Sequence, residues 1–318
     1  MAEMYKGFDK DLKCRGFQFE VGKEYSESGD IKCCQNGFHC CANPFDVLDF
    51  YSIIDDDCNL NRFCEVEGSG KEDSDDKKKC YEKLTIKAEI GIKGLVSAMI
   101  KFVREKIKDC TDSGDSAKIG SSGDYAKIGS SGDSARIGSS GNSARIGSSG
   151  DSAQIGSSGD YAQIGSSGNS AQIGSSGNSA RIGSSGDSAQ IGSSGDYARI
   201  GSSGNSAQIG SSGYYAQIGS SGDSAKIGSS GDYAKIGSSG DYAQINSTGE
   251  NSVICCAGDN CKAKAKKGSW ITLAEWELKD GKYIPKCVKT EFVDGERIKA
   301  DVWYMLKDGE FTDCENVE

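Results

Sequence analysis

The sequence predicts a mainly β protein: a parallel β-solenoid of about 18 residues per coil, flanked by a small α+β N-terminal head and a small β-rich C-terminal cap. Three observations carry this. A nine-residue unit, G-D/N-S/Y-A-K/R/Q-I-G-S-S, begins at Gly114 and recurs without a break. Ala stands at every ninth residue from Ala117 to Ala243 and Ile at every ninth from Ile119 to Ile245, fifteen units carrying both. On either side of this array the chain changes to alternating apolar and polar segments broken by Gly and charged turns. The divisions are a head over 1–110, a solenoid over 111–265 and a cap over 266–318.

In the head, YKGF and FQFEVGKEY read as strands bounded by Gly and charged residues. NPFDVLDFYSII follows, with Asn43-Pro44 suited to opening a helix. NRFCEVEG alternates as a strand does, GSGKEDSDDKKK reads as a solvated loop, and EKLTIKAEI is a further strand. GLVSAMIKFVREKIKD has helical spacing, with Leu95, Met99, Phe102 and Ile107 near one face.

Within the repeat, Ala and Ile are two residues apart, so in a strand both face the same side. S/Y-A-K/R/Q-I-G is therefore expected to be the strand, with Ala and Ile inside and the flanking polar residues outside. S-S-G-D/N has turn chemistry, with Gly expected to supply positive φ. One unit buries too little to fold alone, and a nine-residue coil is too tight to enclose Ile. Two units per coil solve both problems. That geometry puts five of the six Tyr of the S/Y position, Tyr125, Tyr161, Tyr197, Tyr215 and Tyr233, on one side, and leaves Tyr242 on the other. Two degenerate units end the array, with Cys255, Cys256 and Cys261 in place of small repeat residues, as core filler would be. GSWITLAEWEL, YIPKCVKTEFV and DVWYMLKDGEF then alternate, separated by KDGK and DGE turns, and form a cap over the last coil.

The formal net charge is -10, and the fifteen units hold ten Asp against eight Lys or Arg, so most of the negative charge lies in the flanks. No polybasic patch for nucleic acid is present, and no run of about 18 apolar residues that would cross a membrane. The start lacks the apolar core of a signal peptide, so a cytoplasmic protein with mostly free thiols among its 14 Cys is expected.

The stretch NSARIGSSGDSAQIGSSG is similar to the head repeats of trimeric autotransporter adhesins, although its period of nine is longer than theirs. That resemblance implies a trimeric fibre. The segments YKGFDKDLKCRGFQFEVGKEY, GFHCCANPFDVLDFY, GSWITLAEW and IKADVWYMLKDGEF, with the array between them, resemble a group of phage and prophage proteins. This second resemblance implies a mobile-element context and, from it, a role in the infected host such as antagonising a host factor. It assigns no activity and no functional residues. Tyr5-Lys6-Gly7, Arg15, Gly37-Phe38-His39 and Glu65-Val66-Glu67 together resemble an ADP-ribosyltransferase. That implies a nicotinamide-dinucleotide site with Arg15, His39, Glu65 and Glu67, in which Glu67 stabilises a developing oxocarbenium charge. Lys6 stands where that family has Arg, and Cys40-Cys41 where it has Ser or Thr.

Other chemistry is weighed on the residues themselves. Calcium-binding nonapeptides place Asp two residues after Gly, whereas here Asp follows Gly directly and is replaced by Asn142, Asn169, Asn178, Asn205 and Tyr214. A structural turn is the reading. His39 is the only histidine and sits in a cluster with Cys33, Cys34, Cys40 and Cys41. The residue types suit zinc, but the cysteines are adjacent rather than spaced as CxxC, so free thiols are expected and no cofactor. The Tyr side of the solenoid, with Lys127, Arg145, Arg181, Arg199 and Lys235, is the candidate binding surface. The sequence thus reads as a non-enzymatic interaction or scaffold protein, with a host protein as partner and neither nucleic acid nor membrane expected. An ADP-ribosyltransferase head is the second reading and a trimeric fibre or spacer the third. A homodimer or homotrimer is left open.

Overall fold

A computed structural model describes residues 3–55, 58–75, 77–106 and 114–314. The head contains β1 (Met4–Phe8), β2 (Lys13–Cys14), β3 (Phe17–Gln18), β4 (Glu24–Ser26), β5 (Phe38–Cys40), β6 (Arg62–Ser74), β7 (Lys79–Glu89) and α1 (Gly91–Lys106). Its antiparallel sheet runs β1-β6-β7-β4, and β5 also pairs β7. Two sequence expectations are corrected here. Residues 68–74, read as a solvated loop, extend β6 into a long hairpin with β7. The hairpin tip is exposed, so its side chains are polar while its backbone is paired. The helix expected from Asn43 is a single 3-10 turn, Asp46–Asp49, opened by the Asn43 side chain accepting the Phe45 N–H. Of the α1 face, Leu95 and Met99 are buried and Phe102 partly so, while Ile107 lies outside the described residues.

Seventeen four-residue strands follow, from β8 (Lys118–Ser121) to β24 (Lys262–Ala265). Even-numbered strands form one parallel sheet and odd-numbered strands the other. Partners within a sheet are 18 residues apart, as in Ile137↔Ile155 and Ile146↔Ile164. Nine stacked strands in the even sheet span about 40 Å at the usual inter-strand spacing. The Ile side chains of the two sheets meet in one continuous core, and Ala closes its corners.

The strand register differs from expectation by one step. The strand is K/R/Q-I-G-S, and the first Ser of each pair points inward beside Ile. The turn is S-G-D/N-S/Y, and its left-handed residue is Ser or Tyr, as at Ser188 (φ 56) and Tyr197 (φ 57), not Gly. Gly is needed for another reason. A Cβ at Gly186 would lie 2.0 Å from the Gly168 carbonyl oxygen of the preceding coil. The Asp or Asn side chain accepts the backbone N–H of the residue 18 positions on, as in Asn178 N–H to Asp160 at 2.7 Å and Asp196 N–H to Asn178 at 3.0 Å. Either residue type supplies that oxygen, which explains their exchange without invoking calcium.

The cap consists of β25 (Trp270–Lys279), β26 (Lys282–Phe292), β27 (Tyr304–Lys307) and β28 (Glu310–Asp313). β25 adds parallel to β23 (Val253–Cys256), and β27 pairs antiparallel to β24. Ile271, Leu273, Val293 and Leu306 close the Ile column. Asp280-Gly281 and Asp308-Gly309 both have positive φ, as tight hairpin turns require. Cys256 and Cys261 are buried filler, whereas Cys255 takes the outward Gly position and is exposed.

The head does not sit at the end of the solenoid; it lies along the even sheet. The outward Gly residues of that sheet form a column, and the head fills it from Gly156 to Gly228. Positions Gly156, Gly174 and Gly192 face Ile100, Val96 and Met99 of α1, and Gly210 and Gly228 face Ile53, Ile54 and Leu60. The seam continues to Asn246, which replaces that Gly in the fifteenth unit and donates to the Cys58 carbonyl at 2.7 Å, and to Lys264, which donates to Asn59.

Candidate functional site

The odd sheet bears the same outward Gly column, and there it is open. A Cβ at Gly147, Gly165, Gly183, Gly201 or Gly219 would meet nothing within 4 Å. The column is the floor of a shallow groove. Along one side stand Lys127, Arg145, Gln163, Arg181, Arg199, Gln217 and Lys235, and along the other the second Ser of each pair. Register makes the cation row, because identical positions stack at one strand spacing. None of its five cations forms an ion pair among the described residues. The corresponding row of the covered sheet is richer in Gln, and there Arg136, Gln154 and Gln172 hydrogen-bond along the column toward Asp49 of the head.

The five Tyr predicted to share a side do so, on the turn that leads into the odd sheet. Tyr197, Tyr215 and Tyr233 stack with ring centroids 5.1 and 4.9 Å apart and planes within 11°. Tyr125 and Tyr161 continue the row and are exposed. The whole predicted binding surface, five Tyr and five cations, is thus brought together on the sheet that the head leaves open.

The ADP-ribosyltransferase set is not assembled. A cavity of about 600 Å³ in the head is lined by Arg15, His39, Lys6, Cys14, Tyr51 and aromatic side chains including Phe17, Phe19 and Phe50. Glu65 and Glu67 are not part of its lining. Glu67 instead pairs with Lys87 across the β6–β7 hairpin. Lys6 is buried, donates to the His39 carbonyl at 2.8 Å and lies over the Phe8 and Phe19 rings. Burial first, then Lys6, Lys78 and Arg15, hold the His39 imidazole below its ordinary value, so it is neutral at pH 7. The cavity's walls are mainly cationic and aromatic, with Glu27 as the carboxylate on its lining in place of Glu65 and Glu67.

The cysteine cluster is split by strand alternation. Cys40 contacts Met4 at 3.5 Å and Cys41 packs beneath the 3-10 turn, and burial pushes both thiols up to about 12. These are packing residues. Cys33 and His39 are brought instead to Cys80, with ligand atoms within 4.8 Å of one another, and Cys34 stays exposed beside them. The sequence reading missed Cys80, since only the pairing of His39 with Cys80 across β5 and β7 joins them.

Residues 2–98 match the family model of a domain of unknown function, DUF7666. The match ends within α1, and the repeat and cap lie beyond it. No curated protein and no solved structure matches the chain. Among the described residues no helix is long and apolar enough to cross a membrane.

Proposed function

We propose that this chain is a non-enzymatic interaction scaffold whose open glycine groove holds an acidic, amphipathic helix of a partner protein. One observation carries the reading: two chemically equivalent glycine columns run along the solenoid, and one of them is filled by the apolar ridge of α1 while the other is empty. A groove that accepts Val96, Met99 and Ile100 on one sheet has the shape to accept a similar ridge on the other. The charges differ. α1 carries Lys93 and Lys101 and rests on the Gln-richer row, whereas the open groove is edged by five cations that form no ion pair among the described residues. An acidic ridge is the complement. The Tyr stack adds rigid, half-apolar contact area of the kind that anchors protein interfaces. The chain's net charge of -10 disfavours a nucleic acid in the same groove. The resemblance to phage and prophage proteins makes the partner a protein of the infected host, and capturing it is a means of antagonising that host factor. Glu65 and Glu67 stand outside the head cavity, which supports a non-enzymatic role.

The test is capture of partner by the tagged full-length chain from lysate of its natural host, with two groove variants alongside. One reverses charge, Arg145→Glu with Arg181→Glu and Arg199→Glu. The other fills the groove, Gly183→Val with Gly201→Val, where an added Cβ meets nothing within 4 Å. A stoichiometric protein lost in both variants and kept by Tyr242→Ala, on the opposite turn, is the expected result. Equal recovery by all variants would show that the groove does not bind it. Recovery of nucleic acid, or a groove-dependent dimer of the chain itself, would replace the proposed occupant.

A further inference from the structure

We infer that Cys33, His39 and Cys80 form a binding site for a thiophilic divalent cation, with zinc the ion whose ligand preferences they fit. Three separate elements converge to make it. His39 on β5 and Cys80 on β7 are direct cross-strand partners, so their proximity is set by sheet register rather than by side-chain choice. Cys33 comes from a turn closed by reciprocal Lys32–Asn36 backbone hydrogen bonds of 3.0 Å. Its N–H is tied to the Asp73 carboxylate on β6 at 2.8 Å. Among the described residues this is the grouping of His, Cys, Asp or Glu side chains with metal-holding proximity.

Space around the sulfur is kept open by a glycine. Gly37 has φ +112, and a Cβ there would lie 2.5 Å from the Cys80 sulfur and 3.1 Å from the Tyr81 carbonyl. Any other residue would displace the thiol. Cys80 is fully buried, whereas Cys33 and His39 are half-buried, so the cluster opens on one side. Two thiols and one imidazole are a zinc donor set that leaves a fourth position for water or another ligand. Tetrahedral zinc needs ligand-to-ligand edges of roughly 3.5–3.8 Å. The atoms here all lie within 4.8 Å of one another, so a small closure of the cluster brings them to those edges.

The protonation states set the conditions. His39 is neutral at pH 7, as a ligand must be, though its Nε2 accepts the Cys34 N–H at 2.8 Å, and ligation must displace that bond or move the ring proton. Burial raises the Cys80 thiol to about 11, and burial followed by Asp73 and Asp75 raises Cys33. Both must lose protons to the solvent when the ion binds, so affinity rises with pH. His39 also lines the head cavity, which places the ion at the wall of that space. This inference is independent of the groove on the far side of the solenoid.

The experiment is a cobalt titration of the reduced full-length chain, read by thiolate-to-cobalt charge-transfer absorption, with zinc competing and thermal unfolding followed in parallel. One ion per chain is expected, displaced by zinc, weaker at lower pH, and raising the melting temperature. Cys33→Ala and His39→Ala, both at half-buried positions, should each lose at least tenfold in affinity and lose the thermal gain. Cys80→Ser should do the same where circular dichroism shows a folded head, and Cys14→Ala should bind as the parent does. Absent charge-transfer bands, bands unchanged in Cys33→Ala and His39→Ala, or a Cys33–Cys80 disulfide in the native protein would each overturn the site.

Discussion

Each position of the nonapeptide meets a different physical demand, and its two glycines are the clearest contrast. The turn Gly is required by contact with the coil before it, because a Cβ at Gly186 would strike the Gly168 carbonyl oxygen at 2.0 Å. The strand Gly of the odd sheet is not required by anything within the fold. Gly186→Ala should therefore cost about 3 kcal/mol or more, and Gly183→Ala well under 1 kcal/mol, in denaturant unfolding of the full chain. Left-handed backbone falls on Ser or Tyr, residues that adopt it reluctantly, while the two degenerate units carry Asn251 (φ 53) and Asn260 (φ 51) there. Ser188→Asn should accordingly stabilise by about 0.5–1 kcal/mol, measured the same way, and a loss of stability would refute the strain. The inward Ser hydroxyls, such as Ser184 and Ser202, have no hydrogen-bond partner among the described residues, which the sequence pattern did not foretell because it placed both Ser in the turn.

Among the elements, α1 and the segment around the 3-10 turn decide how the head attaches. An amphipathic α1 was legible from the spacing of Leu95 and Met99, but its docking surface was not. The glycine column that receives it is created only when strands 18 residues apart align. Asp46 lies within this attachment. Burial, then the neighbouring Asp49, raises its carboxyl from 3.8 to about 6. Between those values the folded chain binds more protons than the unfolded one. Stability thus falls as pH rises from about 4 to about 6, and the penalty is complete above 6. Asp46→Asn, which keeps an oxygen for Asn43, should raise the melting temperature at pH 8 and leave it nearly unchanged at pH 4. An equal shift at both pH values would rule this linkage out.

The molecule as a whole is a two-sided stack, and its two sides are told apart by alternate units. Even strands are covered by the head, odd strands are open, and every second unit carries the exposed cations and most of the Tyr. Deleting 18 residues, 163–180, removes one strand from each sheet and leaves every later unit on its own side. Deleting nine, 163–171, moves every later unit to the opposite side. Asn246 and Lys264 then leave the head seam, which they hold through Cys58 and Asn59. The longer deletion slides Asn246 and Lys264 by one strand along the head but keeps them on its side, so it should melt cooperatively and keep most of the head's protection. The shorter one should lose protection of the head in hydrogen exchange. Equal behaviour of the two would contradict an 18-residue coil with unlike sides.

Sequence alone pointed to the solenoid with Ala and Ile inward, and it favoured without fixing the 18-residue coil that puts five Tyr on one side. These follow from short-range periodicity repeated fifteen times. Tertiary structure alone decided the rest. It set which sheet the head covers, the one-step shift of strand and turn, and the extension of β6 through a polar segment. It also placed Cys80 beside Cys33 and His39, and kept Glu65 and Glu67 out of the cavity. These depend on contacts between residues far apart in a head that has no repeat. No periodic signal marks such contacts, and each is settled by sheet register, by the close approach that glycine permits, and by the burial of one particular apolar ridge.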